Sequence, residues 1–593
     1  MFKFKLTCVA LVSALTSTVT WAAPASHTLK SGTNVIDIER PNAAGVSHNV
    51  YTQFNVSEKG VIFNNSGTDT NHEVHGAIAK NSNLTAGSAS VILNEVTSNK
   101  ASVLNGFLEV NGPRADVVVV NPNGITCSGC SFVNTNKAIL TTGNVTLSEQ
   151  GAISKYTVTG GGITVDSFGM EAPNSYAMLM ADAITLSGTI NAGNALLAGG
   201  NFTYDNTTGA MTSAGKSANL MQSLLPTYSI DIKRLGGIKA NSITMVGNNL
   251  GFGVRNNGNI TSTNNLSMAS NGTLMNVGTI NGGLVTQLSS AGDVYNSGTI
   301  NTNNIALINS QKAVFNYGNI KNNNQMIINA SGVIQNSGTL NAANTLIINT
   351  NGTLKTKHGS ILRSDNALSI SALDNVESAG AIEARSTYIT FGGSKFSTGG
   401  TLSGSDTLMV QSVKSGALNN GDIANTGKIY GGNTILNTRG AITQSLYGTI
   451  TATKGLTAAS DSLSNLGAIN TSALTIANNQ TKNQGTINAA SGNIQSQTGF
   501  TNEGKINSTS HLTITTNNQS TVTNRGSIQS GGTLTMTGKK VINGGSSCGF
   551  LGLFSCGKGT LSADKIVVNS SQEYAQDIGG KMTFKKFEIN TVE

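Results

Sequence analysis

The chain has 593 residues and a formal charge of +8, yet only 11% of its residues are charged, 5% are aromatic, 38% are hydrophobic, and 70 are glycine. That is too polar for one large globular core and too sparsely charged for an ordinary disordered chain. The basic residues are scattered, with no Lys/Arg run and no aromatic–basic interleaving, so no nucleic-acid partner is expected.

Residues 1–22 read as a secretion signal. Lys3 and Lys5 give a positive start, an apolar stretch opens at Cys8, and Thr20, Trp21 and Ala22 offer a small-x-small cleavage site before Ala23. The stretch is too short and too Thr-rich to span a bilayer. Removing it takes away Cys8 and leaves four cysteines in two close pairs, Cys127/Cys130 and Cys548/Cys556. In a chain that passes an oxidising compartment, each pair is expected to form a disulfide.

His72, Glu73, Val74 and His75 invite a metal reading but do not form His-Glu-x-x-His. On a strand His72 and His75 would face opposite sides, so solvated residues are expected. Further on, Val117, Val118, Val119 and Val120 read as a buried strand, which Pro122 ends by withholding an N–H. Asn123 and Gly124 then favour a tight turn. Cys127 and Cys130 have redox or zinc spacing, but no second Cys pair or His cluster lies near and no βαβ pattern surrounds them. A local staple is the expectation.

Several ordered blocks together resemble one family. They are Gly-Val-Ser-His-Asn-Val-Tyr-Thr-Gln-Phe-Asn-Val at 45–56, Gly-Val-Ile-Phe-Asn-Asn at 60–65, Ile-Leu-Asn-Glu-Val at 92–96 and the long block at 108–125. Cys-Ser-Gly-Cys at 127–130, Leu-Thr-Thr-Gly at 140–143, Leu-Gly-Gly-Ile at 235–238 and Gly-Phe-Gly-Val at 251–254 follow. The region is similar to the haemagglutinin-type secretion domain of two-partner secretion exoproteins. The resemblance implies a β-helical domain recognised in the periplasm by a module of an outer-membrane barrel transporter. It also implies a Gram-negative bacterium and a destination at the cell surface or outside it. Asn121, Pro122, Asn123, Gly124 and Ile125 match the family's Asn-Pro-Asn-Gly block. Where the family shows Asn-Pro-Asn-Leu, this chain has Asn81, Ser82, Asn83 and Leu84, without the proline. These eight positions, Ser82 aside, are the candidates for transporter recognition.

Between 254 and 340 an apolar-x-Asn-x-Gly-x-apolar unit recurs every 20 residues. Its fixed positions are Asn256 and Gly258, Asn276 and Gly278, Asn296 and Gly298, Asn316 and Gly318, and Asn336 and Gly338. Such a period marks a solenoid. Glycine at one phase is expected to supply a positive φ at each corner. Asparagine above asparagine is expected to form an amide ladder, and the flanking apolar residues to point inward. Looser copies continue to Ile528, and no proline follows Pro226, as unbroken strand ladders require. The fold class predicted is all-β, a right-handed parallel β-helix with small extra-helical hairpins near 200–228. At 20 residues and ~4.8 Å per coil, roughly 28 coils are expected.

Other motifs fail on context. Gly215, Lys216 and Ser217 lack the leading glycine, since position 210 is Ala210. Gly545, Ser547 and Gly549 match Gly-x-Ser-x-Gly, but the last histidine, His511, precedes them. Cys548 and Cys556 enclose Phe550, Leu551, Leu553 and Phe554, a loop that would cap the last coils or tether the chain in its pore. The expected organisation is 1–22 signal, 23–255 secretion domain, 256–545 repeats and 546–593 cap. No catalytic residue, metal or cofactor is assigned, and no enzyme is expected. Adhesin is the leading function, acting as a monomer on an unknown receptor of a host or neighbouring cell. A pore-forming haemolysin of the same export class, or a truncated toxin-delivery stalk of a contact-dependent inhibition system, is the alternative.

Overall fold

A computed structural model describes residues 23–213, 228–249, 251–544, 547–548, 554–555, 559–572, 575–576 and 580–592. The expected signal sequence, residues 1–22, therefore lies outside the described residues. Among them there is no helix, and nearly every strand joins one parallel system. A rung of the repeat consists of Asn265–Ser270, Thr273–Asn276 and Thr279–Gly282. Each strand pairs in parallel with its counterpart in the next rung, Val285–Ser290, Val294–Asn296 and Thr299–Thr302. Along these strands burial alternates residue by residue, as the pleat demands.

The result is a parallel β-helix of about 22 turns. The coil count from the 20-residue period was too high, and the register shows why. Val46 stacks on Val91 and Val61 on Leu108, so the first turns consume more than twice the chain of a repeat rung. By Leu274, stacked on Val294, the period has settled to 20. One apolar column runs the whole length, from Ile36 to Val568.

Two elements sit outside the helix. The antiparallel sheet formed by Asn144–Leu147, Ile153–Val158, Phe202–Asp205 and Met211–Ser213 covers the outer face of the early rungs. Beneath it lies a second core of Leu93, Val118, Val120, Ile139, Met178 and Met180 against Tyr156 and Phe202. Hence the run of four valines: Val117 and Val119 point into the helix, while Val118 and Val120 point into this second core. The strands at 202–205 and 211–213 occupy the anticipated hairpin region; those at 144–158 were not anticipated. A smaller hairpin, Thr70–His72 with Gly76–Ile78, covers Val35 and Ile62.

The glycines of the repeat depart from expectation. Positive φ occurs at glycines such as Gly124 and Gly129, but not at Gly258, Gly278, Gly298, Gly318 or Gly338. Their constraint is stacking. A Cβ on Gly298 would overlap the carbonyl oxygen of Gly278 in the rung before, and the same holds up the column. Rungs held at strand spacing leave no room there for a methyl group.

Candidate functional site

Asn121 is fully buried at the end of the strand Ala115–Val120, and its side chain organises the turn that follows. Its Nδ2 donates to the Lys100 carbonyl and to Ser102 Oγ, both at 2.9 Å. Its Oδ1 accepts the backbone N–H of Asn123 at 3.0 Å, and Gly124 N–H closes the turn on the Asn121 carbonyl at 3.1 Å. Gly124 has φ 114°, a region that suits glycine. Pro122 and Asn123 stand exposed at the tip, while Ile125 returns to the core.

Residues 81–84 repeat this geometry without the proline. Asn81 is buried, donates to the Ile38 and Asn64 carbonyls, and accepts Asn83 N–H at 2.9 Å. Leu84 N–H bonds to the Asn81 carbonyl at 3.3 Å, and the Leu84 side chain enters the core. In both motifs a buried asparagine fixes an Asx turn, and the residue after it is exposed.

Cys127 and Cys130 are joined by a disulfide, both buried in the core, with Gly129 at φ 73° between them. His72 and His75 do not face opposite sides. His75 lies in the hairpin turn, so the two rings come within 4.8 Å. His72 Nε2 meets Glu109 at 2.8 Å, and its Nδ1 accepts the N–H groups of Val74 and His75. An Nδ1 occupied as acceptor makes the ring a structural strut of the hairpin. No cluster of three potential metal ligands occurs among the described residues. Residues 215–217 lie outside them, as do Cys556 and the side chain of Cys548; the backbone at Ser547–Cys548 pairs with Phe554–Ser555.

The repeat asparagines form a column inside the solenoid. Asn256 donates to Asn276, Asn276 to Asn296, and Asn296 to Asn316, each at 2.8 Å; Asn316 donates to Asn336 at 2.7 Å. A second run links Asn465, Asn483, Asn502, Asn524 and Asn543. Between them the same position holds Thr356, Ser378, Thr398, Asn425 and Gln444. There the chain of amides stops. Thr398 Oγ1, Gln444 Oε1 and Asn465 Oδ1 have no hydrogen-bond partner in the protein. Sequence reasoning missed this gap, although the drifting spacing of the later copies was its signal.

Where the early rungs meet the repeat, Arg255 grips Asp231 with two hydrogen bonds of 2.8 Å and lies 4.0 Å over the Tyr228 ring. Burial pushes the Asp231 carboxyl up, but hydrogen bonds from Arg255 and Lys233 outweigh it and hold the group below its usual range.

With this geometry in view, comparison with known proteins gives a consistent answer. The TPS secretion domain profile matches residues 13–281. The tRNA nuclease CdiA of Yersinia mollaretii is 42% identical over 234 residues, covering 39% of this chain and 8% of its own length. The 16S rRNA endonuclease CdiA of Enterobacter cloacae subsp. cloacae is 37% identical over 235 residues, covering 39% of this chain and 7% of its own. The chain thus spans under a tenth of the length of these curated relatives. A crystal structure of a filamentous haemagglutinin secretion domain is 32% identical, covering 50% of this chain and 98% of that one, with a TM-score of 0.39. The chain belongs to the two-partner secretion exoproteins and carries a filamentous haemagglutinin-type secretion domain. Such proteins cross the outer membrane of Gram-negative bacteria to the cell surface or the extracellular space.

The expectation that the chain is not an enzyme is corrected by these relatives, which carry the names of nucleases. The region they share with this chain is the secretion region, not a nuclease domain. An export domain is physically separable from what it carries, so its polar, motif-free composition says nothing about cargo chemistry.

Proposed function

We propose that residues 23–255 are the export domain and residues 256–545 the stalk of a toxin-delivering surface exoprotein of the contact-dependent inhibition kind. The identity with the nuclease-named relatives carries this reading. The continuous apolar column and the two runs of stacked amides support a stalk, because nearest-neighbour stacking makes a long rod from short repeats. Export would begin at an outer-membrane barrel transporter whose periplasmic module recognises the two Asx turns. Their tips, exposed Pro122 with Asn123 and exposed Ser82 with half-buried Asn83, are then the contact points, and Asn121, Asn81, Gly124, Ile125 and Leu84 hold them in shape. Each rung that folds outside presents an unpaired strand edge to the next, a bias that opposes backsliding.

Adhesion is a second reading, favoured by a hydrogen-bonding groove on the outer face, lined by Asn309, Asn329 and Asn349. Co-culture separates the two. Cells displaying the chain through its transporter are mixed with labelled recipients, and both binding and recipient growth are followed. Growth arrest on contact supports toxin delivery; binding without arrest supports adhesion; neither outcome overturns both.

A further inference from the structure

A shallow groove of ≈640 Å³ runs parallel to the axis along five successive rungs, at the corner between the first and second strands of each. One wall is the column Asn309, Asn329 and Asn349, whose amides are chained at 2.8 and 2.9 Å. Gln311, Ser331 and Asn351 stand on the other wall. Its floor is small and already satisfied: Ser290 and Ser310 hydroxyls donate to the Gly272 and Gly292 carbonyls. The wall amides are not exhausted. Asn329 and Asn349 each donate one N–H along the ladder and have a second to offer, while Asn309 accepts at its end.

Three features narrow what fits. No charged side chain lines the groove, so nothing in it would hold a charged ligand. Immediately beside the asparagine wall, on the same outer face, Leu307, Ile327 and Ile347 stack in register as a half-exposed apolar stripe. Over the last three of the five rungs the surface therefore alternates an apolar column with an amide column, while Ser267, Gln287, Ala269 and Ser289 hold these positions in the first two. The strands that carry it have both edges paired, which leaves no backbone edge for an added peptide strand.

We infer that this groove binds an unbranched neutral glycan laid along the solenoid axis. A sugar ring matches the surface because its C–H face is apolar and its rim carries hydroxyls that both donate and accept. A chain of such rings matches the repetition of the walls. The volume suits a short oligosaccharide, within the ~300–1,000 Å³ usual for ligand sites. This inference stands on the groove alone and holds whether the stalk delivers toxin or serves adhesion.

The test is a glycan array probed with the exported chain, alongside the variants Asn329→Leu and Ser331→Trp. Asn301→Leu, on a different strand of the same rungs, serves as control. Melting curves and far-ultraviolet spectra establish that each variant is folded. Binding to unbranched neutral glycans that drops at least tenfold in both groove variants and persists in the control is the expected result. Binding confined to sulfated or sialylated glycans or to peptides, binding indifferent to the groove variants, or no neutral glycan bound at all would overturn the proposal.

Discussion

Asn296 and Asn316, 20 residues apart in sequence, lie one above the other inside the solenoid, and the amide of the first donates to the amide of the second at 2.8 Å. Both side chains are buried. Such a pair is useful only if its neighbours above and below also pair, since a buried amide left without partners costs free energy. Replacing Asn296 by Leu strips Asn276 of its acceptor and Asn316 of its donor at once. We expect a loss of about 2–4 kcal/mol in chemical denaturation. Asn301→Leu, which removes an exposed rung-to-rung amide pair, is expected to cost less than about 0.5 kcal/mol.

Gly298→Ala distinguishes stacking from backbone conformation. Its φ is not positive, yet a methyl group there meets the carbonyl of Gly278. Separating two rungs is expected to cost about 1–3 kcal/mol or more. Gly359 is the converse case, with φ 79° and open space around it. Gly359→Ala is expected to cost only about 1 kcal/mol, the penalty of a left-handed residue. Equal losses in thermal denaturation would mean that stacking is not the constraint at Gly298.

The two Asx turns make a prediction about export. Asn121→Ala removes the side chain that holds the turn, and secretion through the cognate transporter is expected to fall severely. Ser82→Pro restores the family's proline at a position whose N–H is not needed by the turn, so stability should rise or fall by less than about 1 kcal/mol. Secreted protein per cell, measured by immunoblot of medium and surface fractions, reads both. Undiminished export of Asn121→Ala would remove the turn from recognition.

Acid should loosen the junction at Asp231. Its carboxyl is held below the usual range in the folded chain, so its stabilising contribution is full above the unfolded value near ~3.9 and fades as pH falls through the lower folded one. Limited proteolysis between the early rungs and the repeat should increase as pH drops below about 4. In Arg255→Met the bidentate grip is gone, and cleavage there should be greater at neutral pH and less sensitive to acid.

Much of this was legible because a stacked fold writes its geometry into the sequence at a fixed period. Asn276 recurs at Asn296 because the two touch, and the amide column follows from that alone. The outer sheet was not legible in the same way. Val118 and Val120 look like any buried strand, and the partners that cover them, Tyr156 and Phe202, come from distant segments with no repeat to announce them. Glycine misled for a related reason. Gly298 and Gly124 look alike in sequence, but one answers to a neighbouring rung and the other to its own φ. The turns at Asn121 and Asn81 were visible as turns, whereas their shared buried-amide architecture emerged only from the contacts of Lys100, Ser102 and Ile38.

Everything rests on in-register stacking of rungs, and paired cysteines test it most directly. Asn301 and Lys321 face each other across adjacent rungs, at the ~4.8 Å strand spacing that a disulfide can bridge. The double variant Asn301→Cys with Lys321→Cys should cross-link under mild oxidation, while Asn301→Cys with Ser331→Cys should not. Failure of the first pair, or equal cross-linking of the second, would contradict the stacked solenoid.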